Sequence, residues 1–168
     1  MVDSNTITEL AISRNEPQWL IEKREQALAT FISLPEPCFV YGLGILADVS
    51  ELDVKSIDVL GQKEEAKVIA PSQVDVMTFQ DALASDLHAS LIKEHMMTAV
   101  SVDDNKLTAL HAAGFNNGLL IHIPNGVICR EPIRIHLRAG VRATLDQVLI
   151  IAEEQSSALI IEDTDSED

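Results

Sequence analysis

At 168 residues and 46% hydrophobic, the chain is long enough for one domain that buries about 70% of its unfolded surface, while its apolar runs, such as 148–152, are too short to cross a bilayer. With 12 basic against 27 acidic residues, the net charge of −15 disfavours phosphate backbones, which demand clustered Lys and Arg, so neither nucleic acid nor a membrane is an expected partner. The two cysteines, Cys38 and Cys129, belong to no CxxC or zinc-finger pattern, and no disulfide framework or structural metal is implied.

The opening MVDSNTITEL is acidic and has no basic region followed by an apolar stretch, which argues against a secretory signal and makes the cytoplasm the expected location. The clearest helix spans 15–33. Asn15 is its candidate cap, Glu16 suits the positive end, and Pro17 fits the first turn, where its missing N–H costs little. Trp19, Leu20, Ala27, Leu28, Phe31 and Ile32 form its apolar stripe, and Pro35 and Pro37 end it.

From 38 to 73 the pattern is mixed, with hints of short strands around Val54, Ile57, Val59 and Val68. Gly42-Leu43-Gly44-Ile45-Leu46-Ala47 matches G-x-G-x-x-A after an apolar run, with Glu64 and Glu65 about twenty residues on, as a dinucleotide site would have it. That fingerprint requires the glycines to open a helix; the acidic, β-branched ADVSELDV that follows favours a glycine turn instead. Helical periodicity returns over 78–84, 87–97 and 104–113, the last burying Leu107, Leu110 and His111 before Gly114. Residues 1–113 thus read as mostly helical.

Beyond the turn signals Asn116-Asn117-Gly118 and Asn125-Gly126, short strands are predicted over 118–123, 133–137, 147–152 and 158–161. Leu119, Ile121 and Ile123 alternate on the first, and Ile133, Ile135 and Leu137 on the second. His122 and His136 sit at matching centres fourteen residues apart. There is no room for crossover helices, so the choice lies between a meander and a parallel solenoid; the offset favours a solenoid with Ile121 and Ile135 on adjacent rungs, and a hairpin for the last two strands. The fold expected is α+β, with the helical region followed over 114–168 by β coils and an acidic tail. From Val141 onward, eight acidic residues stand against the single Arg142.

Stacked rungs would bring His122 and His136 within reach of one cation, with Cys129 between them in the chain. Against this, histidines often occupy the polar face of a strand, no carboxylate is evident beside them, and Arg134 and Arg138 would repel a cation, so no metal site is expected. Arg130, Arg134, Arg138 and Arg142 recur every four residues, but the strand pattern between them directs Arg134 and Arg138 outward to acids on neighbouring coils. No GxSxG, GxxxxGK[ST] or HExxH occurs, and no catalytic residue is assigned.

Three segments carry a family resemblance. NEPQWLIEKREQALATFISLPEP, through Glu16, Pro17, Trp19, Leu20, Arg24 and 34–37, resembles the opening helix of SufB and SufD proteins, which assemble iron-sulfur clusters. DNKLTALHAAGFNNGLLIHIPNGV resembles the passage from the helical region into that family's right-handed parallel β-helix, and TLDQVLIIAEEQSSALIIE resembles its continuation. LHAAGFNNG and LDQVLII are closer to the SufD style than to the SufB style.

The resemblance implies an iron-sulfur assembly scaffold with SufB-like and SufC-like partners, or a homodimer, and no enzyme activity of its own. Family members are usually longer, and the residues tied to cluster building lie in the part not matched. No cofactor is therefore expected on this chain, the cluster belonging to the assembled complex. A short adaptor without cluster chemistry, and a nucleotide-binding enzyme using Gly42 and Gly44, are the competing readings.

Overall fold

The first two helices are defined by how their ends are capped. In the computed structural model, which describes residues 2–36, 53–60, 66–139 and 143–166, α1 (Ser4–Ser13) begins where the Asp3 carboxylate accepts hydrogen bonds from the backbone N–H and hydroxyl of Thr6, both at 2.9 Å. This helix has no counterpart in the sequence reading. The next, α2 (Gln18–Ser33), starts three residues later than expected, because Asn15 takes the left-handed φ of 52° and Pro17 is extended at the cap. Leu20, Arg24, Ala27, Leu28 and Phe31 form its buried stripe, whereas Ile32, expected in that stripe, is 68% exposed.

Val54 and Val59 belong to a turn-rich segment and not to strands; both side chains plug the core that α1 and α2 share with the later helix residues Ala109, Leu110 and Ala113. Two short strands follow, β1 (Lys67–Ile69) and β2 (Asp75–Thr78), and then α3 (Phe79–Leu83), α4 (Asp86–His95) and α5 (Lys106–Gly114). Thr78 caps α3 by accepting from the Asp81 N–H. Asn105 and Thr108 form a capping box at α5, which is why both helices start close to where the sequence placed them.

Four strands complete the chain: β3 (Asn117–Ile123), β4 (Ile133–Ala139), β5 (Asp146–Ala152) and β6 (Ile160–Ser166). They do not stack in chain order. One sheet runs β2-β3-β5 and the other β1-β4-β6. Within them β3 is parallel to β5 and β4 to β6, whereas β2 and β1 add antiparallel to β3 and β4.

Ile121 and Ile135 are therefore not neighbouring rungs: Ile121 pairs with Ile150, and Ile135 with Glu162. The physical reason is burial. Leu119, Ile121 and Ile123 of β3 face Ile133, Ile135 and Leu137 of β4 across one apolar cluster, so the two alternating strands oppose each other across an interior instead of sharing a ladder. Fourteen residues is thus half of the actual spacing, since Asn117 pairs with Asp146, 29 positions on, and Ile133 with Ile160, 27 positions on. The last two strands likewise lie in different sheets and form no hairpin.

Asn117 and Gly118 belong to β3 and form no turn; the Asn125-Gly126 turn is present, with Gly126 at φ +72°. The opposite face of β3 packs on helices, Leu120 meeting Leu20, Phe79, Ile92 and Phe115. Buried on both faces, β3 is the central strand of its sheet, and it carries His122 on the helix side.

Candidate functional site

His122 is 5% exposed, and strand register decides what surrounds it. On one flank Asp75 of β2 is its direct antiparallel partner; on the other, Glu153 follows the end of β5. The imidazole Nδ1 lies 2.9 Å from the Asp75 carboxylate and Nε2 lies 2.8 Å from that of Glu153. From α4, His88 completes the group with its Nε2 3.6 Å from Asp75, and the two imidazole rings meet edge to face at 6.0 Å.

Burial pulls the His122 pKa down, but the hydrogen bonds and charges of Glu153 and Asp75 together outweigh it and hold the value above that of a free histidine. The Glu153 carboxyl is correspondingly held below the ordinary glutamate range, by its bond to His122 first and by the Asn125 backbone N–H second. An imidazole gripped at both nitrogens is fixed in orientation.

The carboxylate partners missing from the sequence reading of His122 are thus present. They come from positions 47 residues before it and 31 after it, a separation that no local pattern displays. His136 is not part of this group: it lies on β4, in the other sheet, with its side chain 42% exposed and 3.4 Å from Asp165. Cys129 is a free thiol packed beside the apolar cluster between the sheets, its backbone N–H bonded to the carbonyl of Ser157. Arg138 approaches Asp165 of β6 at 4.0 Å, the kind of cross-strand acid expected for it. Cys38, Arg142 and the Gly42-to-Ala47 motif lie outside the described residues.

A second polar constellation sits where the N-terminal helices meet the sheets. Arg24 is fully buried, with Nε and Nη2 each donating to the Glu16 carboxylate at 2.7 Å, while Nη1 donates to the carbonyl of Ala113 at 2.8 Å. The Phe115 ring lies 3.7 Å from the guanidinium carbon. Next to it Asn116, 2% exposed, bonds Val59, Ala143 and Leu145 at once.

No family model matches the chain. Among curated proteins, the iron-sulfur cluster assembly protein SufD of Bacillus subtilis is 26% identical over 96% of this chain and 45% of its own length. A chloroplastic iron-sulfur cluster assembly SufBD family protein of Arabidopsis thaliana is 26% identical over 92% of this chain and 36% of its own. The chain is similar to SufBD family proteins.

SufB of Bacillus subtilis is 22% identical over 93% of this chain and 42% of its own length, so the chain spans less than half of the relatives it matches. Of the segments that resemble the SufB and SufD opening, Glu16 and Arg24 form the buried clamp and Leu20 is fully buried. The resemblance therefore falls on residues with a structural task.

Proposed function

We propose that this chain is a SufD-like component of an iron-sulfur cluster assembly scaffold, acting through partner contacts and not as an enzyme. The observation that carries the reading is similarity to SufD and SufB proteins over nearly the whole chain, with the SufD relative at 26% identity and the SufB relative at 22%. On this reading β3 to β6 are the opening coils of a right-handed parallel β-helix. Two parallel pairings between alternate strands support that architecture, each sheet receiving one strand per coil.

SufB-like and SufC-like proteins are the proposed partners, and the cluster is cargo of the assembled complex. Two cysteines are too few for the usual four thiolate ligands of a cluster. The cytoplasm is the proposed location. No helix among the described residues is long and apolar enough to cross a membrane, although the Arabidopsis relative is chloroplastic by name.

Co-expression of the chain with the SufB-like and SufC-like proteins of the same genome, followed by affinity purification and size-exclusion chromatography, tests the proposal. We expect a complex that contains all three and withstands physiological salt. Elution of the chain free of both partners would overturn it.

A further inference from the structure

Among the described residues, Asp75, His88 and His122 place one ligand atom each within 4.8 Å of one another. We propose that these three side chains form a binding site for a borderline divalent transition-metal ion of the zinc type, a reading independent of any role in cluster assembly. Four features of the geometry carry it.

First, the spacing fits. Ligands at about 2.0–2.1 Å from a tetrahedral ion lie roughly 3.3 Å from each other, and the Asp75 oxygen is 2.9 Å from His122 Nδ1 and 3.6 Å from His88 Nε2. Second, each histidine has its far nitrogen held by an outer partner. Glu153 accepts from His122 Nε2 at 2.8 Å, and Ser85 Oγ stands 3.0 Å from His88 Nδ1. With Nε2–H held by the Glu153 carboxylate, His122 offers Nδ1 to an ion in exchange for the proton it shares with Asp75, the carboxylate–histidine–metal arrangement in which an outer acid orients the ligand ring. The Ser85 hydroxyl can accept from His88 Nδ1–H, which leaves the Nε2 lone pair for the ion.

Third, His88 Nε2 is a buried polar atom with no hydrogen-bond partner. A ring nitrogen aimed at a carboxylate but too far to bond it is costly in a purely protein cluster, and an ion between them satisfies it. Fourth, the Asp75 side chain is 44% exposed while those of the histidines are 14% and 6% exposed, which gives an ion a water-facing route to the buried imidazoles past Asp75. Two imidazoles and one carboxylate suit zinc, iron, cobalt or nickel in preference to calcium or magnesium, which take oxygen ligands.

The test is titration of the full chain, stripped with chelator, with Zn2+ at physiological salt, and with Co2+ as a spectroscopic stand-in. We expect one saturable equivalent, visible cobalt absorption from nitrogen ligation, and zinc-induced shifts in the histidine ring NMR spectrum confined to His88 and His122 of the five histidines. Glu153→Gln should weaken binding by about 10- to 100-fold, as loss of an outer-shell partner does, and His88→Gln by at least as much. Should His88→Gln fail to fold, the wild-type histidine spectrum decides. Absence of a saturable equivalent, unchanged affinity in a folded His88→Gln, or shifts at His95, His111 or His136 in place of His88 and His122 would each overturn the site.

Discussion

Arg24 is a fully buried tie within the helical half. Its guanidinium is removed from water, and its hydrogen bonds and ring contact tie together three parts of the chain: Glu16 before α2, Ala113 at the end of α5 and Phe115 at the entry to β3. The bidentate pair with Glu16 does not by itself imply large net stability, since desolvating both charges offsets their attraction. Removing one partner is different. Glu16→Gln leaves a buried cation uncompensated, and we expect it to cost about 3–5 kcal/mol in urea-induced unfolding. Adding Arg24→Met should recover much of that loss, because the methionine needs no counter-charge. A Glu16→Gln chain as stable as the parent would show that the guanidinium reaches water.

At the scale of the elements, α3 and β3 approach closely at Gly118. A Cβ built on Gly118 would lie 2.6 Å from the Phe79 side chain, so the strand can pass beneath α3 only if this position carries no side chain. Gly118→Ala should destabilise by about 1–3 kcal/mol through overpacking, and Phe79→Leu in the same chain should cost less than in the parent. Additive effects in thermal unfolding would show that the two do not touch. The sequence displayed this glycine as a turn signal because its neighbours Asn116 and Asn117 favour turns. The structure spends Asn116 as a buried hydrogen-bonding hub and Asn117 as the first residue of β3.

Elements with a strong local signal were legible: α3 to α5 through helical periodicity, and β3 and β4 through the alternation of Leu119 to Ile123 and Ile133 to Leu137. What the sequence could not display was pairing. β1, three residues long, showed only as a hint around Val68, and β2, four residues long, is too short to show alternation; both are strands because β4 and β3 supply their hydrogen bonds. The His122 cluster was hidden for the same reason. Asp75 reaches it through the β2–β3 register and His88 through packing of α4, neither of which has a local sequence signature.

For the whole molecule the asymmetry of the two sheets matters. Antiparallel β1 and β2 close one side, and β5 and β6 form the other, each paired along one edge only among the described residues. Ile150 on β5 is 41% exposed, and β6 carries Glu162, Asp163 and Asp165. Those acids act as gatekeepers: like charges on an edge strand oppose its pairing with a second copy. Neutralising the three to Gln and Asn should increase self-association at low salt in sedimentation experiments, and the difference from the parent should shrink as salt screens the charge. Two monomeric profiles across concentration and salt would remove the edge from consideration as a contact surface.

The pairing of alternate strands also sets a timetable. At a synthesis rate of about 5–20 residues per second, the 29 positions from Asn117 to its partner Asp146 take roughly 1.5 to 6 s to emerge. β2 precedes β3 and β1 precedes β4, so each long strand finds its antiparallel neighbour already made. Its parallel neighbour does not yet exist. For those seconds the newest strand offers one bare backbone edge, and during that interval any other extended segment, including another nascent chain, competes for the place that β5 or β6 will take.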